Sequence, residues 1–476
     1  MFEGYLIVDI GTGNTRAGVA LANGDCISVS TVETSYYNDD LYPDATTFSP
    51  TEMWENVLKV SKDVLSRAKD VKIKAITATS GRQGIVLIDN QMTPYLGLPN
   101  IDNRGMDYEG CFNDFDSYIK AGRWANRYFS AYKLVGLREK RRCDYERIHK
   151  ITSISDFIGF MLTGNLCYEP SQACETLLFN TEKGSWSPEL CKTYGIDMKI
   201  LPNVLESGTK LGTVKDFIAD ELGLDKDVPF IVGGSDTSVA VVGTHAVQGE
   251  IVVTSGTTTP ITFISDEYVV DSNQKCWTNC HLEKGKFILE SNVGVTGLNY
   301  QRLKKSFAPN ISYKQLEDDM NLEKEPRCIC SLSTIKFEEN RPLLNGAFVF
   351  NTPVESDLGV SDFALASLAD MACGIKSNID NLISIKEFKK DYIVCCGGGF
   401  NGDIFPQLVA DFTEKTVVLR HNYSQSSIVG CVNVCNEYFK TPPTINKEVR
   451  KYIPKPREWK KDYYKKWAEF REIINK

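Results

Sequence analysis

The chain has 476 residues, a formal net charge of −8 at pH 7 and 42% hydrophobic residues. This length exceeds one ordinary hydrophobic core and predicts two large domains with a cleft between them. The negative charge argues against nucleic-acid binding through a broad basic surface. No apolar run reaches the roughly 18 residues that a membrane helix needs, and the first residues lack the features of a signal peptide. We therefore expect a cytoplasmic protein that binds neither nucleic acid nor membrane.

The fifteen cysteines are scattered along the chain, often inside apolar strands such as residues 393–396. Reduced cysteine behaves there as a small hydrophobic residue. The Cys and His residues at 276–281 and the two cysteines at 328–330 lack the paired spacing of structural zinc sites. The sequence therefore predicts neither disulfides nor a metal-cysteine site.

The predicted elements begin with two strands, residues 5–10 and 16–21, joined by a glycine-rich turn. A helix over residues 51–68 follows, and then strands at 74–79 and 85–89. This order of strands and helices is typical of a mixed α/β domain.

Two further segments have a helical pattern. The first extends over residues 110–164. The second is the basic tail, residues 447–476, in which Tyr463, Trp467 and Phe470 recur at helical spacing. We expect the tail to form a terminal helix docked on the protein.

The second half of the chain repeats the plan of the first. A strand at 229–233 precedes a new strand at 250–256, which ends in glycine and threonines, and another strand follows at 260–264. This repetition indicates a duplicated α/β domain, with domains at residues 1–247 and 248–476.

Three turns rich in small residues follow predicted strands. In the first, Asp9 ends a strand and small residues, hydroxyls and Arg16 follow, a set that suits phosphate with a metal ion. The same residue types also favour an ordinary hairpin turn for backbone reasons alone. The second turn lies at Gly256–Thr259 and the third at Gly397–Gly399, where glycine permits close approach of a ligand. No GxxxxGK[ST] sequence and no complete GxGxxG after a strand occur, which disfavours P-loop and dinucleotide-binding enzymes.

Asp236 follows a predicted strand and a Gly-Gly-Ser sequence. Phosphoryl transfer needs a carboxylate that takes the proton of the attacking hydroxyl, and Asp236 suits that role. An aspartate after such a sequence equally fits the N-cap of a helix. The residues alone leave both interpretations open.

In order and spacing these motifs resemble the FGGY carbohydrate kinases, members of the actin-like ATPase superfold, over nearly the whole chain. The resemblance implies an α/β fold of two actin-like (ribonuclease H-like) domains, each a mixed sheet flanked by helices, with an interdomain cleft. It implies ATP-dependent phosphorylation of a hydroxyl of a small sugar or polyol, with Asp236 as general base. The sequence is most similar to autoinducer-2 kinases, with xylulose, erythritol and glycerol kinases as neighbours.

The resemblance also assigns binding residues. The second domain would bind the nucleotide, with ATP held by Gly11, Thr12, Asn14, Thr15, Arg16, Gly256, Thr257, Thr258, Gly398, Gly399 and Asn401. Gln407 and Asp411 complete the motif that resembles the adenosine site. Mg²⁺ would lie near Asp9, directly or through water, and near Asp236. The substrate would contact Arg82, Gln83, Asp102, Tyr128 and Asp236, although loops commonly carry solvated pairs such as Arg82 and Gln83.

Two positions depart from the family pattern, because Gly136 and Tyr300 each replace a common tryptophan. They bear on how the sugar packs and not on the fold. The rival hypothesis is a non-catalytic actin-like protein that binds ATP and regulates a partner. Asp236 discriminates between the two, since a binding module needs no base beside an empty sugar pocket. Family members often form homodimers, which we carry over as an expectation.

Overall fold

The computed structural model describes residues 2–40, 45–112 and 115–476. In chain order, the strands of the described residues are β1 (Phe2–Ile10), β2 (Asn14–Leu21), β3 (Cys26–Glu33), β4 (Tyr37–Asn38), β5 (Thr46–Thr47), β6 (Val71–Ser80), β7 (Ile85–Ile88), β8 (Pro94–Leu98), β9 (Lys150–Ser153), β10 (Phe179–Asn180), β11 (Ser185–Trp186), β12 (Lys210–Thr213), β13 (Pro229–Ser235), β14 (Ile251–Thr254), β15 (Thr258–Ser265), β16 (Trp277–Cys280), β17 (Phe287–Val295), β18 (Cys328–Ser331), β19 (Ile335–Lys336), β20 (Arg341–Pro342), β21 (Ala347–Phe350), β22 (Tyr392–Cys396), β23 (Thr416–Arg420) and β24 (Glu448–Tyr452).

The α-helices of the same residues are α1 (Pro50–Arg67), α2 (Phe115–Ala121), α3 (Ser130–Lys140), α4 (Arg142–Glu146), α5 (Ile154–Thr163), α6 (Pro170–Ala173), α7 (Pro188–Tyr194), α8 (Asp216–Leu222), α9 (Asp236–Gly243), α10 (Gly297–Phe307), α11 (Tyr313–Asp318), α12 (Val360–Ile385), α13 (Ile404–Thr413), α14 (Ser426–Phe439) and α15 (Lys460–Ile474). Short 3₁₀ turns connect several of them. Among the described residues, no helix is both long enough and apolar enough to cross a membrane.

The first main sheet has the strand order β12-β13-β6-β1-β2-β3. Strand β1 pairs antiparallel with β2, which confirms the hairpin predicted from the sequence. Strand β6 runs parallel to β1 and to β13. The carboxyl ends of these three parallel strands therefore lie at one edge of the sheet.

The second main sheet repeats this plan, with the order β16-β17-β15-β14-β22-β23-β24. Strands β14 and β15 form the antiparallel hairpin, and β14, β22 and β23 run parallel. Helices flank both sheets; α1 packs on the first and α12 on the second. The α/β fold with two mixed sheets, expected from the internal repetition, is confirmed.

Helix α1 shows how the local sequence forms these layers. The Ser49 hydroxyl accepts the amide of Glu52, and Pro50 occupies the first turn, so the helix start is capped. Met53, Val57 and Val64 then recur on one buried face against the first sheet.

The sequence predicted a helical pattern over residues 110–164, but the described residues of this segment, which exclude 113–114, are not all helical. Strand β9 lies within this segment and pairs antiparallel with β7, which also pairs with β8. The four residues of β9 could equally form a helical turn by their sequence, and only their pairing with β7, distant in the chain, makes them a strand. By contrast, the terminal helix is confirmed as α15, with Tyr463 and Trp467 buried.

Helices α9 and α14 cross between the two main sheets. Val241 of α9 packs on the second sheet, whereas Ile428 of α14 packs on the first. Glycines allow the two backbones to approach closely, because a Cβ on Gly430 would lie 1.8 Å from the carbonyl oxygen of Val239. Each half of the chain thus contributes one helix to the junction. The domain division at residue 247 stays a prediction.

Candidate active site

A cleft with a volume of about 1150 Å³ lies between the two main sheets. Residues at or just after the ends of β1, β6 and β13 bound it on one side, and residues at or just after the ends of β14, β17 and β22 bound it on the other. The carboxyl ends of parallel strands are where open α/β sheets bind ligands. The predicted site residues that line the cleft are Asp9, Gly11, Thr12, Arg16, Arg82, Gln83, Tyr128, Asp236, Gly256, Thr257, Thr258 and Gly398.

The first turn closes the hairpin of β1 and β2. The amide of Gly11 donates to the carbonyl of Asn14 at 3.0 Å, and the side-chain amide of Asn100 donates to the Thr12 hydroxyl at 2.8 Å. Asn14 is exposed at the tip and Thr15 is buried below it, and both lie outside the cleft lining. Gly11 and Thr12 are therefore the residues of this turn that face the cleft.

The second turn closes the hairpin of β14 and β15 in the same way. The amide of Gly256 donates to the carbonyl of Thr258 at 3.0 Å, and the carbonyl of Thr257 accepts the amide of Thr296 at 3.1 Å. Gly256, Thr257 and Thr258 are all exposed on the cleft. Two similar turns thus face each other from the two sheets, an arrangement that suits a chain of phosphates.

The third turn follows β22. Gly397 has a φ of +98°, and a Cβ there would lie 2.3 Å from the carbonyl oxygen of Ser255, so only glycine fits. Gly398 lines the cleft, whereas Gly399 and Asn401 are exposed beyond its lining. This turn therefore meets the cleft through Gly397 and Gly398.

Asp411 and Gln407, expected to complete the adenosine motif, instead join α13 to the C-terminal tail. The Asp411 carboxylate is buried and accepts hydrogen bonds from Gln407 at 2.7 Å and from Arg457 at 3.1 Å. Both lie outside the cleft lining. Their hydrogen bonds stabilise the second domain.

Asp236 is the first residue of α9 and lies on the cleft. The helix N-cap is Ser235, whose hydroxyl accepts the amide of Ser238 at 3.4 Å. Asp236 instead accepts the amide of Thr237 through one carboxylate oxygen, Oδ1, at 2.7 Å. The capping role considered for Asp236 therefore falls to its neighbour, and its carboxylate faces the cleft.

The electrostatics of the cleft favour a bound cation. Burial raises the pKa of Asp9 to about 6, the Arg16 guanidinium opposes this shift, and the Asp236 carboxylate adds to it. Burial also raises the pKa of Asp236, and the Arg82 guanidinium works against that rise. Burial thus disfavours the ionised form of each carboxylate, and a nearby cation would favour it. Arg16 also donates a hydrogen bond to the side chain of Gln425, just before α14.

The predicted role of Arg82 required a side chain that projects freely into the cleft, but the structure shows it paired with two glutamates. It contacts both oxygens of Glu290 in β17, at 2.5 and 2.8 Å, and one oxygen of Glu175 at 3.1 Å. The side chains of both glutamates are fully buried, and that of Arg82 is 12% exposed. Its charge is therefore balanced within the protein, and little of the group remains open to a ligand.

The ion pairs around Arg82 continue into the protein. Arg123 contacts Glu175 at 2.6 Å, and the side-chain amide of Gln83 donates to Glu175 at 3.1 Å. Although burial raises the pKa of Glu175, Arg123 and Arg82 outweigh it, and the pKa is lowered. Gln83 has a φ of 70°, an uncommon backbone conformation for a residue other than glycine. This network fixes the floor of the cleft.

The structure contradicts the prediction that Asp102 contacts the substrate. This residue is completely buried, and its two carboxylate oxygens accept the amide of Thr46 at 3.1 Å and the guanidinium of Arg104 at 2.7 Å. It lies outside the cleft lining, so it is not placed to accept a substrate hydroxyl. Asn100, in the same motif, lines the cleft instead.

The end of the cleft at Tyr128 is aromatic. The Tyr128 side chain is 38% exposed, and its neighbour Phe129 packs against Trp277 with ring centroids 5.4 Å apart. Trp277 in turn packs at 5.0 Å on Phe337, and both line the cleft. Planar apolar surfaces beside polar groups suit the C–H and O–H faces of a sugar.

The sequence prediction missed several residues that shape the site: Asn100, Glu175, Trp277, Glu290 and Gln425. The sequence does carry one indication that Glu290 is important, because this charged residue directly follows the apolar residues that begin β17. Such a residue must find a buried partner. The partner itself could not be read from the sequence.

The chain matches the family model described as the FGGY family of carbohydrate kinases, N-terminal domain, over residues 4–243. It is 41% identical to YoaC of Bacillus subtilis (strain 168), whose sugar kinase assignment is provisional, over 99% of this chain and 98% of that protein. It is 26% identical to the autoinducer-2 kinase of Yersinia pestis bv. Antiqua (strain Angola), over 94% of this chain and 90% of that kinase.

Solved structures share the fold. Ligand-bound xylulose kinase from Lactobacillus acidophilus superposes with a TM-score of 0.86 at 18% identity, covering 99% of this chain and 98% of that one. Glycerol kinase from Plasmodium falciparum, solved with ADP, gives 0.82 at 20% identity, with coverage of 99% and 98%.

Two mixed sheets of the same plan around one cleft give the fold of two actin-like domains that these solved structures share. The chain belongs to the FGGY family of carbohydrate kinases. The fold class, the family and the enzyme class expected from the sequence are thereby confirmed.

Proposed function

We propose that the protein transfers the γ-phosphate of ATP to a hydroxyl of a small sugar or polyol. The observation that carries this proposal is the position of Asp236, which shares one cleft with Asp9 and with the two phosphate-type turns. A nucleotide on the turns and a sugar near Tyr128 would meet at Asp236. The best candidate substrates are autoinducer-2 and related short-chain sugars, with xylulose, erythritol or glycerol as alternatives.

The chemical step forms a bond between the sugar oxygen and the γ-phosphorus and breaks the bond from that phosphorus to the bridging oxygen of ADP. The hydroxyl proton passes to Asp236, and ADP departs with the bridging oxygen. In a loose transition state the hydroxyl becomes acidic only as the new bond develops, so an ordinary carboxylate suffices as base. Bound sugar also displaces water that ATP would otherwise phosphorylate.

Asp9 and Asp236 fit a magnesium site. Both are carboxylates on the cleft, and burial raises the pKa of each, so a bound cation would favour their ionised forms. Mg²⁺ commonly binds one or two carboxylates together with phosphate oxygens. When bound, the ion would offset charge on the phosphates, while Asp9 holds it directly or through water.

The sugar would contact Gln83, Asn100 and Tyr128, which line the cleft near Asp236. Arg82 would act mainly on Asp236, against whose raised pKa its guanidinium works, because Glu290 and Glu175 accept hydrogen bonds from both of its terminal nitrogens. Its pairing leaves the pocket without a free cation at this point.

Similarity to autoinducer-2 kinases along the chain supports the first candidate substrate, and the shared fold with xylulose and glycerol kinases supports the alternatives. A few pocket side chains separate such substrates, so fold alone does not decide between them.

The test is ADP release by the purified protein with Mg²⁺ and ATP, in the presence of glycerol, erythritol, xylulose, ribulose or the autoinducer-2 precursor. We expect turnover that depends on one or more of these compounds. The rival function, a non-catalytic actin-like regulator, predicts nucleotide binding without sugar-dependent release of ADP.

A further inference from the structure

The C-terminal helix holds one wall of the cleft. We name residues 334–345 the rim segment; it contains β19, a short 3₁₀ turn and β20. The rim residues that line the cleft are Thr334, Ile335, Phe337, Asn340, Pro342, Leu343 and Leu344. None of these lining residues carries a charge. Leu344 is 82% exposed at the edge of the cleft.

Asn475, just beyond the end of α15, anchors the tip of the rim segment. Its side-chain oxygen accepts the backbone amides of Leu344 and Asn345, both at 3.0 Å. The side chain of Asn345 donates in return to the carbonyl of Ile474 at 2.8 Å. These hydrogen bonds fix the backbone at the tip, where Leu344 meets the cleft.

Glu472 anchors the two strands of the rim segment. Its carboxylate receives two hydrogen bonds from the Arg341 guanidinium, at 2.9 and 2.8 Å, and lies 3.0 Å from the Lys336 ammonium. Arg471 also donates to the carbonyl of Ile335 at 2.5 Å. The last turn of α15 therefore contacts the rim segment at its base and at its tip.

The helix is itself a rigid support. The indole N–H of Trp467 donates to one oxygen of the Asp370 carboxylate at 2.7 Å, and the other accepts the backbone amide of Ser333 at 3.1 Å, one residue before the rim segment. The Tyr463 hydroxyl donates to the carbonyl of Cys328 at 3.1 Å. Both aromatic side chains are buried. These buried contacts thus connect α15 to the interior of the protein and to the start of the rim segment.

The rim segment lies at the sugar end of the cleft. Phe337 contacts Trp277, which contacts Phe129 beside Tyr128. An anionic group against this uncharged wall would lose hydration without gaining an ionic partner. The wall therefore suits the uncharged carbon chain of a short sugar.

We propose that Glu472 and Asn475 are positioning residues: they hold the rim segment as the wall that receives the sugar chain, and so set the affinity for sugar. This inference rests on the proposed kinase function. It gives the C-terminal helix a role in substrate binding without direct contact with substrate.

The test uses the full-length protein with Asn475→Ala, which removes the acceptor of both amides, and Asn475→Asp, which keeps a carboxylate oxygen in its place. We expect Asn475→Ala to raise the sugar KM by about 10-fold, or about 1.4 kcal/mol, because the tip of the rim segment would lose the acceptor that holds its backbone. The KM for ATP and kcat should change less than about twofold, because uniform loss of sugar binding affects KM alone. Asn475→Asp should restore the sugar KM.

Glu469→Ala is the matched control, because it removes an exposed carboxylate from the same helix that pairs only loosely, at 4.0 Å, with Lys465. Hydrogen exchange of residues 334–345, measured without ligand, should be faster in Asn475→Ala and unchanged in Glu469→Ala. An active protein in which Asn475→Ala keeps the wild-type sugar KM contradicts the inference alone. Equal rises in the KM for sugar and ATP, not restored by Asn475→Asp, also contradict it. A wild-type protein that phosphorylates no sugar contradicts the proposed function itself.

Discussion

The guanidinium of Arg82 and the carboxylate of Glu290 form a two-point contact, at 2.5 and 2.8 Å, between the loop after β6 in the first sheet and β17 in the second. The pair lies at the floor of the cleft with Glu175 and Arg123. A buried ion pair of this geometry adds little net stability, but breaking it strands an unpaired charge. The pair therefore fixes how the two sheets meet at the sugar site.

Replacing Glu290 with Gln should destabilise the protein by about 3–5 kcal/mol, because Arg82 would keep its charge in a buried site with one carboxylate fewer. Urea unfolding measures the change. The exposed pair of Lys62 and Glu221, 2.8 Å apart, is the matched comparison, and Glu221→Gln should cost less than about 1 kcal/mol. Equal effects of the two substitutions would show that the Arg82 contact is not buried in solution.

The charge of Arg82 should tune the pH dependence of catalysis. Burial raises the pKa of Asp236 and Arg82 opposes the rise, so loss of the cation raises this pKa further. A general base acts in its ionised form, and activity falls as pH drops through the pKa. In Arg82→Met the acidic limb of the kcat profile should move to higher pH, whereas Arg82→Lys keeps a charge and should move it less. An unmoved limb in Arg82→Met would exclude the interaction.

Lys133 should make stability rise with pH. It is completely buried, donates to the backbone carbonyl of Gln83 at 2.7 Å, and has a pKa lowered from 10.5 to about 7 by burial, against the pull of Asp102. Between these two pH values the unfolded chain holds a proton that the folded chain has released. The unfolding free energy therefore increases with pH over this window.

The measurement is the unfolding free energy by urea between pH 7 and 9, compared with Lys133→Met. The wild type should show the steeper rise, by up to about 1.4 kcal/mol per pH unit for one proton. Other groups titrate alike in both proteins, so the difference in slope reports Lys133. Parallel slopes would mean that Lys133 stays charged in the folded state.

The junction of α9 and α14 should not accept a methyl group. A Cβ on Gly430 would lie 1.8 Å from the Val239 carbonyl oxygen, so Gly430→Ala should destabilise by about 1–3 kcal/mol even though alanine favours helix. Gly359→Ala is the control, because the nearest atom to its Cβ would be 3.9 Å away. A Gly430→Ala variant as stable as the control would show that the helices separate easily.

The sequence predicted the features that depend on local order. The two hairpins, α1, the terminal helix, the strand that carries Asp9 and the strand that precedes Asp236 all follow from apolar patterns and turn residues close together in the chain. The three turns were recognised for the same reason. Their meeting at one cleft follows from the duplicated topology, which the repetition of motifs indicated.

Long-range pairing accounts for what the sequence did not predict. Arg82 looked available to a sugar because its partners, Glu175 and Glu290, are about 90 and 200 positions away in the chain. Asp102 looked like a hydroxyl acceptor, but the distant backbone amide of Thr46 binds one of its oxygens and the nearby Arg104 binds the other. The crossing of α14 to the first sheet likewise depends on contacts between opposite ends of the chain.

A single comparison of two proteins tests the proposed role of Asp236 as general base. Sugar-dependent release of ADP by Asp236→Asn is measured beside the wild type, with nucleotide affinity determined for both proteins. We expect kcat to fall by about 100-fold or more, as for loss of a general base, with nucleotide affinity nearly unchanged. A variant that keeps the wild-type kcat would contradict phosphoryl transfer with Asp236 as the base.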